Sequence, residues 1–372
     1  MTISEALREQ LVARLCDQLA VESVTGDEDR LCSRIEAEQQ ARGARVIRHA
    51  NSLVLTRFTA QDTRPLVLLV GHLDVVPPTD QDAQPSVQSD RVVGRGSSDM
   101  KAGNIVALEL FDDVALMEQS PFRVAVVLYA GEEGPAAGNE LPQVLAAEPW
   151  LTTAELAVVL EPTDSKIQLG CLGGLHAELR FDGVAAHSAR PWDGVNAIYA
   201  AHELLSELAL DHTRDVDVDG IRFTDVWSVT RAYSAGFGPD QQAAPPVRNV
   251  IPDAFTLNLN FRFAPNRSLD AAQTELIERI AGRAQVTIVD RSIPAAPNRD
   301  TPLVARLVEL AGGNVTGKQA WTDIARFTQV GVPGVNFGPG LTTQAHQAGE
   351  FVLIDDVVAA YHLLARFLQG ER

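Results

Sequence analysis

Short apolar runs alternate with segments of helical periodicity through the first half of the chain. Compact apolar runs bounded by polar turns are typical of buried strands, whereas apolar residues at intervals of three and four are typical of core-facing helices. The predicted strands lie at 52–58, 66–74, 123–130 and 155–162. The predicted helices lie at about 4–20, 27–42, 101–118 and 139–148. This alternation predicts an α/β fold with a mostly parallel sheet sandwiched by helices.

The pattern changes after Gly174. Alternating apolar and polar residues predict strands, and two helical segments at 194–210 and 268–283 fall between them, giving the order βαββαβ. This order is typical of a small, open-faced, ferredoxin-like antiparallel sheet with two helices. The sequence therefore predicts an α/β domain made of 1–174 and 291–372, with a second domain, 175–290, inserted into it.

Length and charge narrow the class of protein. At 372 residues the chain exceeds the size at which one hydrophobic core usually stops growing, which supports two domains. A net charge of −18 argues against nucleic acid and membranes as partners, because phosphates require a basic surface. A small anionic substrate stays compatible with this charge, since it needs only a few local arginines. No segment has the pattern of a membrane span or of a signal peptide.

The cysteines are few and widely spaced. Cys16, Cys32 and Cys171 form no CxxC pair. Their odd number indicates reduced thiols, a cytoplasmic location and the absence of a cysteine-based zinc site.

Five short stretches place a histidine or a carboxylate at a predicted strand end or in a glycine-flanked turn. They are GHLD (71–74), GRGSSDMKAG (94–103), YAGEEG (129–134), LEPT (160–163) and AHQAGE (345–350). Ligands of α/β sheets bind outside the carboxyl ends of the strands, where three of these stretches begin. The candidate residues are His72, Asp99, Glu133, Glu161 and His346, with Asp74 and Glu132 beside them.

The residue types indicate a metal centre. Imidazole and carboxylate ligands without thiolate suit zinc or another divalent first-row metal. Two histidines and three carboxylates exceed the needs of one catalytic zinc, but they fit two metals that share a bridging carboxylate. Taken singly, each stretch also fits an ordinary polar strand end. Their convergence on one edge of one sheet favours the metal centre.

The adjacent glutamates of YAGEEG follow a strand that is predicted to be buried. Neighbouring side chains at a strand end point in different directions, so one can bind metal while the other faces the substrate. A carboxylate beside a metal-activated water is the general base that a hydrolytic site requires. The alternative, two solvated surface acids, agrees less well with the buried strand before them.

The order and the residues of these motifs resemble those of the M20 family of dinuclear zinc amidohydrolases and peptidases. The resemblance extends over essentially the whole chain. The family's catalytic domain with an inserted lid domain agrees with the architecture predicted above. The resemblance implies two divalent metal ions, zinc first and cobalt as the alternative. It implies that one metal is held by His72 and Glu161, the other by Glu133 and His346, and that Asp99 bridges them.

The same resemblance implies roles for the residues around the metals. Glu132 would be the general base, and Asp74 would fix the ring of His72. The peptide bond between Asp99 and Met100 is expected to be cis.

Within the family, Glu161 resembles the deacylases, because the peptidases often have aspartate there. The stretches 186–198, 249–265 and 321–340 resemble the succinyl-diaminopimelate desuccinylases, particularly their actinobacterial-type branch. This implies hydrolysis of N-succinyl-L,L-diaminopimelate for lysine and cell-wall synthesis by a homodimer formed through the lid. His187 would reach the active site of the other subunit and stabilise the oxyanion. The substrate's carboxylates would meet Asn249, Arg262, Arg326 and Arg190.

Other functions stay open beside this one. Acetylornithine deacetylase, aminoacylase and carboxypeptidase activities share the metal site and differ in the acyl pocket. A metal-binding protein without catalysis is a second alternative, but it would not require a general base at Glu132. A nucleotide-binding α/β protein is a third. Asp99 stands where GxGxxG has its last glycine, and its carboxylate would repel a pyrophosphate.

Overall fold

The computed structural model describes residues 3–80, 82, 84–234 and 249–371, and the chain forms two compact units. The first comprises Met1–Leu169, Asn298–Thr316 and Arg326–Arg372, and the second comprises Gly170–Pro297 and Gly317–Ala325. The division predicted from the sequence, with 175–290 as the inserted domain, differs from these bounds by a few residues at each end and places 317–325 in the first domain. These residues group with the second unit because the Leu172 amide donates to the Ala320 carbonyl at 3.2 Å and the Thr224 amide to the Gln319 side chain at 3.1 Å.

The described residues form groups of strands separated by one or two α-helices. In chain order the strands are β1 Arg45–His49, β2 Ser52–Thr56, β3 Leu66–His72, β4 Ser86–Gln88, β5 Arg91–Val93, β6 Arg123–Tyr129, β7 Leu156–Val159, β8 Ile167–Cys171, β9 Gly173–Asp182, β10 Ala186–His187, β11 Thr213–Val218, β12 Ile221–Ser234, β13 Val250–Ile251, β14 Ala254–Phe263, β15 Gln285–Ser292, β16 Val315–Lys318, β17 Gly334–Asn336 and β18 Phe351–Leu353. The helices are α1 Ile3–Leu19, α2 Asp29–Ala41, α3 Ala102–Asp112, α4 Val114–Gln119, α5 Leu141–Ala147, α6 Ala197–Ala200, α7 His202–Leu210, α8 Leu269–Ile280, α9 Pro302–Leu310, α10 Ile324–Gln329 and α11 Ile354–Leu368.

An eight-stranded sheet in the order β1-β2-β6-β3-β7-β17-β8-β16 forms the centre of the first unit. Its four middle strands, β6, β3, β7 and β17, run parallel, which confirms the predicted mostly parallel α/β sheet. All seven residues of β3 are buried, and α3 packs against β3 and β6. A continuous apolar run such as LVLLV is expected of a strand covered on both faces.

Antiparallel pairs extend this sheet beyond its parallel centre. In the antiparallel pair of β1 and β2, His49 lies opposite Ser52 next to the turn. Only a tight turn therefore joins the two strands, and a connection this short permits only antiparallel pairing. The sequence patterns did not predict β1. A separate antiparallel sheet, β18-β5-β4, joins the segment before the last helix to the strand that precedes Asp99.

The second unit contains a five-stranded antiparallel sheet in the order β11-β12-β14-β9-β15. Its last four strands have the topology of the predicted ferredoxin-like βαββαβ unit. Along β9, alternate residues are buried, and the buried face belongs to a core that α6, α7 and α8 share. The core side chains of β9 are Leu175, Ala177, Leu179 and Phe181.

Two details of this unit differ from the predicted pattern. The edge strand β11 was not predicted, although it turns into β12 through Asp219 and Gly220, both with positive φ, which is a favoured two-residue hairpin sequence. The helix expected at 194–210 is divided into α6 and α7. It begins later than expected because Asn196 caps it, with its side-chain oxygen accepting from the Ile198 amide at 2.9 Å.

Two further expectations concern membranes and thiols. None of the described helices combines the length and the apolar character that crossing a bilayer requires. Cys16, Cys32 and Cys171 are free thiols.

Candidate metal centre

Adjacent parallel strands bring the candidate residues to one edge of the central sheet. β3 ends at His72, the turn after β6 carries Glu132 and Glu133, and Glu161 follows β7. Because the carboxyl ends of parallel strands meet at the same edge, these side chains converge as the sequence predicted. Asp99 joins them from the turn Ser97–Lys101 before α3, and His346 from the loop before β18.

Two of the groups of potential ligand atoms share Asp99. Nε2 of His72 lies 3.2 Å from Oδ1 of Asp99 and 3.8 Å from Oε1 of Glu161. Nε2 of His346 lies 2.8 Å from Oε2 of Glu133 and 3.7 Å from Oδ2 of Asp99. Within each group the ligand atoms lie within 4.8 Å of one another. The two oxygens of Asp99 therefore face different histidines, which is the geometry of a bridging carboxylate.

Negative charge dominates this cluster. Burial disfavours the charged form of His72, but its hydrogen bond with Asp99 and the charges of Glu132 and Asp74 raise its pKa well above the usual value. The pKa of His346 is raised chiefly by its contact with Glu133. The carboxylates raise the proton affinity of both imidazoles. The same negative charge favours divalent cations, which replace a proton on each ring when they bind. The donor set of nitrogen and oxygen atoms fits two such ions.

His72 is fixed by the backbone around it. Nδ2 of Asn104 donates to the His72 carbonyl at 2.6 Å. A Cβ at Gly71 would overlap with Oδ1 of Asn104, so this position of the GHLD stretch requires glycine. Nδ1 of His72 lies 2.9 Å from the carbonyl oxygen of Asp74. Since a carbonyl only accepts, Nδ1 carries the hydrogen and Nε2 is the atom available to a metal.

This arrangement changes the role expected of Asp74. Its carboxylate lies 3.7 Å from Nδ1 of His72, and the ring hydrogen bond goes to its backbone carbonyl instead. The strand predicted over 66–74 ends at His72, so the two side chains do not share a strand face. The fully buried carboxylate of Asp74 instead accepts from the Glu132 and Glu133 amides, each at 3.0 Å. Asp74 therefore fixes the turn that carries both glutamates.

Thr25 completes the surroundings of Asp74. Its hydroxyl donates to Oδ2 of Asp74 at 3.0 Å, from the loop between α1 and α2. The neighbouring Val24 bridges to Val75, which holds this loop beside the GHLD stretch. Sequence reasoning did not identify Thr25, because nothing in the local pattern shows that its hydroxyl meets a distant aspartate.

The loops that carry Asp99 and His346 have specific backbone conformations. The peptide bond between Asp99 and Met100 is cis, as predicted. His346 has a φ of 62°, and its loop is held to the loop after β7. There the Thr342 amide donates to Oδ1 of Asp164 at 2.8 Å, and the Asp164 amide donates to the Gly340 carbonyl at 2.9 Å.

Most of the predicted substrate-binding residues lie in the second unit. His187 is exposed on β10, and the Ala189 amide donates to its Nδ1 at 3.1 Å, so the neutral ring carries its hydrogen on Nε2. The Ser188 amide donates to the Asn249 carbonyl at 2.9 Å, which places Asn249 next to the two-stranded sheet formed by β10 and β13. Arg190 is exposed.

Two further arginines occupy different surroundings. Arg262, near the end of β14, is half-buried, and burial lowers the pKa of its guanidinium. A Cβ at Gly174 would lie 2.8 Å from Nη1 of Arg262, so this glycine makes room for the guanidinium. Arg326 lies on α10 and belongs to the first unit.

Several known proteins have sequences similar to that of this chain. The profile of peptidase family M20/M25/M40 matches residues 68–370. The chain is 36% identical to a candidate succinyl-diaminopimelate desuccinylase of Mycobacterium tuberculosis, over 97% of this chain and 98% of that protein. It is 31% identical to the succinyl-diaminopimelate desuccinylase of Corynebacterium glutamicum, over 96% and 95% of the two chains. It is 30% identical to the acetylornithine deacetylase of Myxococcus xanthus, over 85% and 82%.

Solved structures share the fold at lower identity. A tripeptidase from Staphylococcus aureus aligns over 98% of both chains with a TM-score of 0.76 and 18% identity. A dinuclear metal-binding peptidase of the M20 family from Bacillus subtilis aligns over 98% of both chains with a TM-score of 0.68 and 14% identity.

The contact between Thr25 and Asp74 generates a stability prediction. In a Thr25→Val variant, a buried carboxylate loses a donor while the side-chain volume is kept, and we expect a loss of about 1–3 kcal/mol of unfolding free energy. Thr25→Ser is the matched control, because it keeps the hydroxyl. Urea denaturation of the three proteins measures the difference. Equal stability of the valine and serine variants would show that this hydrogen bond does not hold Asp74.

Proposed function

The chain belongs to peptidase family M20/M25/M40 and is a metal-dependent amidohydrolase, and from that premise we propose that it removes the succinyl group from N-succinyl-L,L-diaminopimelate. The products are succinate and L,L-diaminopimelate, a precursor for lysine and cell-wall synthesis. The observation that carries the hydrolytic part is the pair of ligand groups that share Asp99, with Glu132 adjacent to both. The substrate is proposed from the relatives that carry this activity in their names.

Each residue of the cluster has a place in this proposal. His72 and Glu161 would hold one divalent ion, Glu133 and His346 would hold the other, and Asp99 would be shared by both; zinc is the proposed metal, with cobalt as the alternative. When bound, the two ions supply Lewis acidity that polarises the scissile carbonyl and makes water a stronger acid. Asp74 keeps Glu132 and Glu133 in position through their backbone amides.

Glu132 performs the proton transfers. Its carboxylate accepts a proton from the water that attacks the amide carbon, and it delivers this proton to the leaving nitrogen as the C–N bond breaks. Its neighbour Glu133 points to His346 instead, at 2.8 Å. The adjacent glutamates thus divide proton transfer and metal binding between them.

The second unit supplies groups for the substrate. We assign Arg262, Asn249, Arg190 and, from the first unit, Arg326 to the carboxylates of the substrate. Partial desolvation of Arg262 strengthens its attraction to a carboxylate, and the planar guanidinium can bind both oxygens. Nε2 of His187 carries the hydrogen in the neutral ring, as an oxyanion donor requires.

We also propose that the protein is a homodimer formed through the second unit, in which His187 completes the active site of the other subunit. Exposed apolar side chains lie near His187 in the chain or on the strand paired with it, and exposed apolar surface of this kind marks interaction sites. They are Val184, Trp192, Val195, Ile198, Tyr199 and Val250.

A second candidate is the deacetylation of N-acetylornithine. The relative from Myxococcus xanthus, named for that activity, is 30% identical over 85% of this chain. The acyl group distinguishes the two candidates, since a succinyl amide presents an additional carboxylate to the arginines.

Substrate choice can be measured directly. Zinc-loaded protein is supplied with N-succinyl-L,L-diaminopimelate, N-acetylornithine and N-succinylornithine in parallel, with chelator-treated protein as control. We expect metal-dependent release of succinate from the first compound. Turnover of the acetylated compound alone would replace the proposed substrate and keep the mechanism. Cleavage that is unaffected by complete metal removal would contradict the metal-dependent mechanism.

A substitution of Glu132 distinguishes a role in catalysis from a role in metal binding. In a Glu132→Gln variant we expect the bound metal to stay at two ions per chain, while the turnover rate falls by roughly 10²–10⁴-fold through loss of the proton acceptor. Metal analysis and initial rates on the same preparation test this. A variant with wild-type turnover would exclude Glu132 as the general base.

The shared site can be tested by mixing two inactive proteins. His187→Ala keeps the metal ligands, and Asp99→Asn keeps His187, so a heterodimer contains one complete site. We expect activity to reappear after subunit exchange, which differently tagged chains can monitor. Exchange without recovery would show that His187 does not act on the partner's site.

A further inference from the structure

We propose that Glu350 is a positioning residue of the metal centre, whose buried carboxylate sets the place of the bridging Asp99 relative to His346. This inference rests on the proposed function, because it takes Asp99 and His346 as metal ligands. Glu350 belongs to the AHQAGE stretch that also contains His346, and its exposed fraction is 1%. None of the roles assigned above involves it.

The carboxylate of Glu350 binds the backbone of the turn that carries Asp99. Its Oε1 accepts from the Ser98 amide at 2.8 Å and from the Asp99 amide at 2.9 Å. Its Oε2 accepts from the Gly96 amide at 2.8 Å. Three converging amides satisfy a buried carboxylate, and each of them also restricts the movement of this turn.

Arg95 supplies the opposite charge. Its Nη1 lies 3.2 Å from Oε2 of Glu350, and its Nη2 lies 2.8 Å from Oδ2 of Asp82. Oδ1 of Asp82 accepts from the Gly349 amide at 2.9 Å, so the chain segment next to Glu350 is tied to the same arginine. This connected arrangement fixes both the position and the rotation of the Glu350 carboxylate.

The backbone of Glu350 reinforces the link between the two loops. The Gly94 amide donates to the Glu350 carbonyl at 2.9 Å, and the Ser98 hydroxyl donates to the Phe351 carbonyl at 3.1 Å. The His346 loop and the Asp99 turn, far apart in the sequence, are therefore joined next to their ligand residues. A shift of this junction would change the distance from Asp99 to His346, and with it the fit of a shared ion.

Glutamine at this position tests the carboxylate specifically. It has nearly the same volume, but its amide group donates hydrogen bonds and would face backbone amides that also donate. One side of the Glu350 contact is then lost, either at Ser98 and Asp99 or at Gly96. Loss of a residue that orients metal ligands typically lowers metal affinity by about 10–100-fold, and we expect this range for Glu350→Gln.

The experiment is a titration of the metal-free full chain with Co²⁺, followed by calorimetry and by the visible absorption of the bound ion. We expect two ions per wild-type chain, a 10–100-fold weaker affinity in Glu350→Gln, and an altered absorption band, because the ligand geometry changes. Glu109→Gln is the matched control. Glu109 is a buried carboxylate that accepts from Gln10 and Arg14 and belongs to none of the potential metal-binding groups found among the described residues.

The outcomes separate this proposal from its premise. If the wild-type chain binds no Co²⁺, the proposed function is wrong. If the wild-type chain binds two ions and Glu350→Gln binds them with unchanged affinity and spectrum, only the role of Glu350 is wrong. An equal loss in Glu109→Gln would indicate general destabilisation and would also overturn the proposal.

Should Glu350→Gln fail to fold, Glu350→Asp serves in its place. It keeps the charge, but its shorter side chain cannot reach both sides of the turn at once. Weaker Co²⁺ binding in this variant is expected, and wild-type affinity would contradict the proposal.

Discussion

Negative charge gathered at the carboxyl edge of a parallel sheet is the constraint on which the rest of this structure depends. Four carboxylates lie close together in space and are buried or nearly so. They belong to Asp74, Asp99, Glu133 and Glu161. Like charges in a poorly solvated place repel, so the cluster requires cations or protons to balance them. The pKa of His72 is raised because the nearby carboxylates favour a positive charge on its ring, and two divalent ions would balance the same negative charge.

Two buried carboxylates, Asp74 and Glu350, organise this edge through hydrogen bonds from backbone amides. Asp74 accepts from the amides of Glu132 and Glu133, and Glu350 accepts from the amides of Ser98 and Asp99. In both cases a side chain from a distant segment fixes the backbone of a loop that carries ligands. Rigid loops keep the ligand atoms in place before a metal arrives, which lowers the cost of binding it.

The second unit adds a different kind of surface. Helices cover one face of its five-stranded sheet, and His187 is exposed on a separate two-stranded sheet near exposed apolar residues. These features suit contacts with a substrate and with a second subunit. The proposed metal ligands lie in the first unit, and most of the proposed substrate-binding residues lie in the second.

The sequence by itself determined the strands β3, β6 and β7, the βαββαβ order of the second unit and the set of residues at the sheet edge. These follow from local periodicity and from the rule that parallel strands end on one side. The edge strands β1 and β11, the carbonyl contact of Asp74 with His72, and the roles of Thr25 and Glu350 depended on tertiary structure. Such contacts join side chains to backbone groups far away in the chain, and a hydrogen bond of that kind leaves no periodic pattern in the sequence.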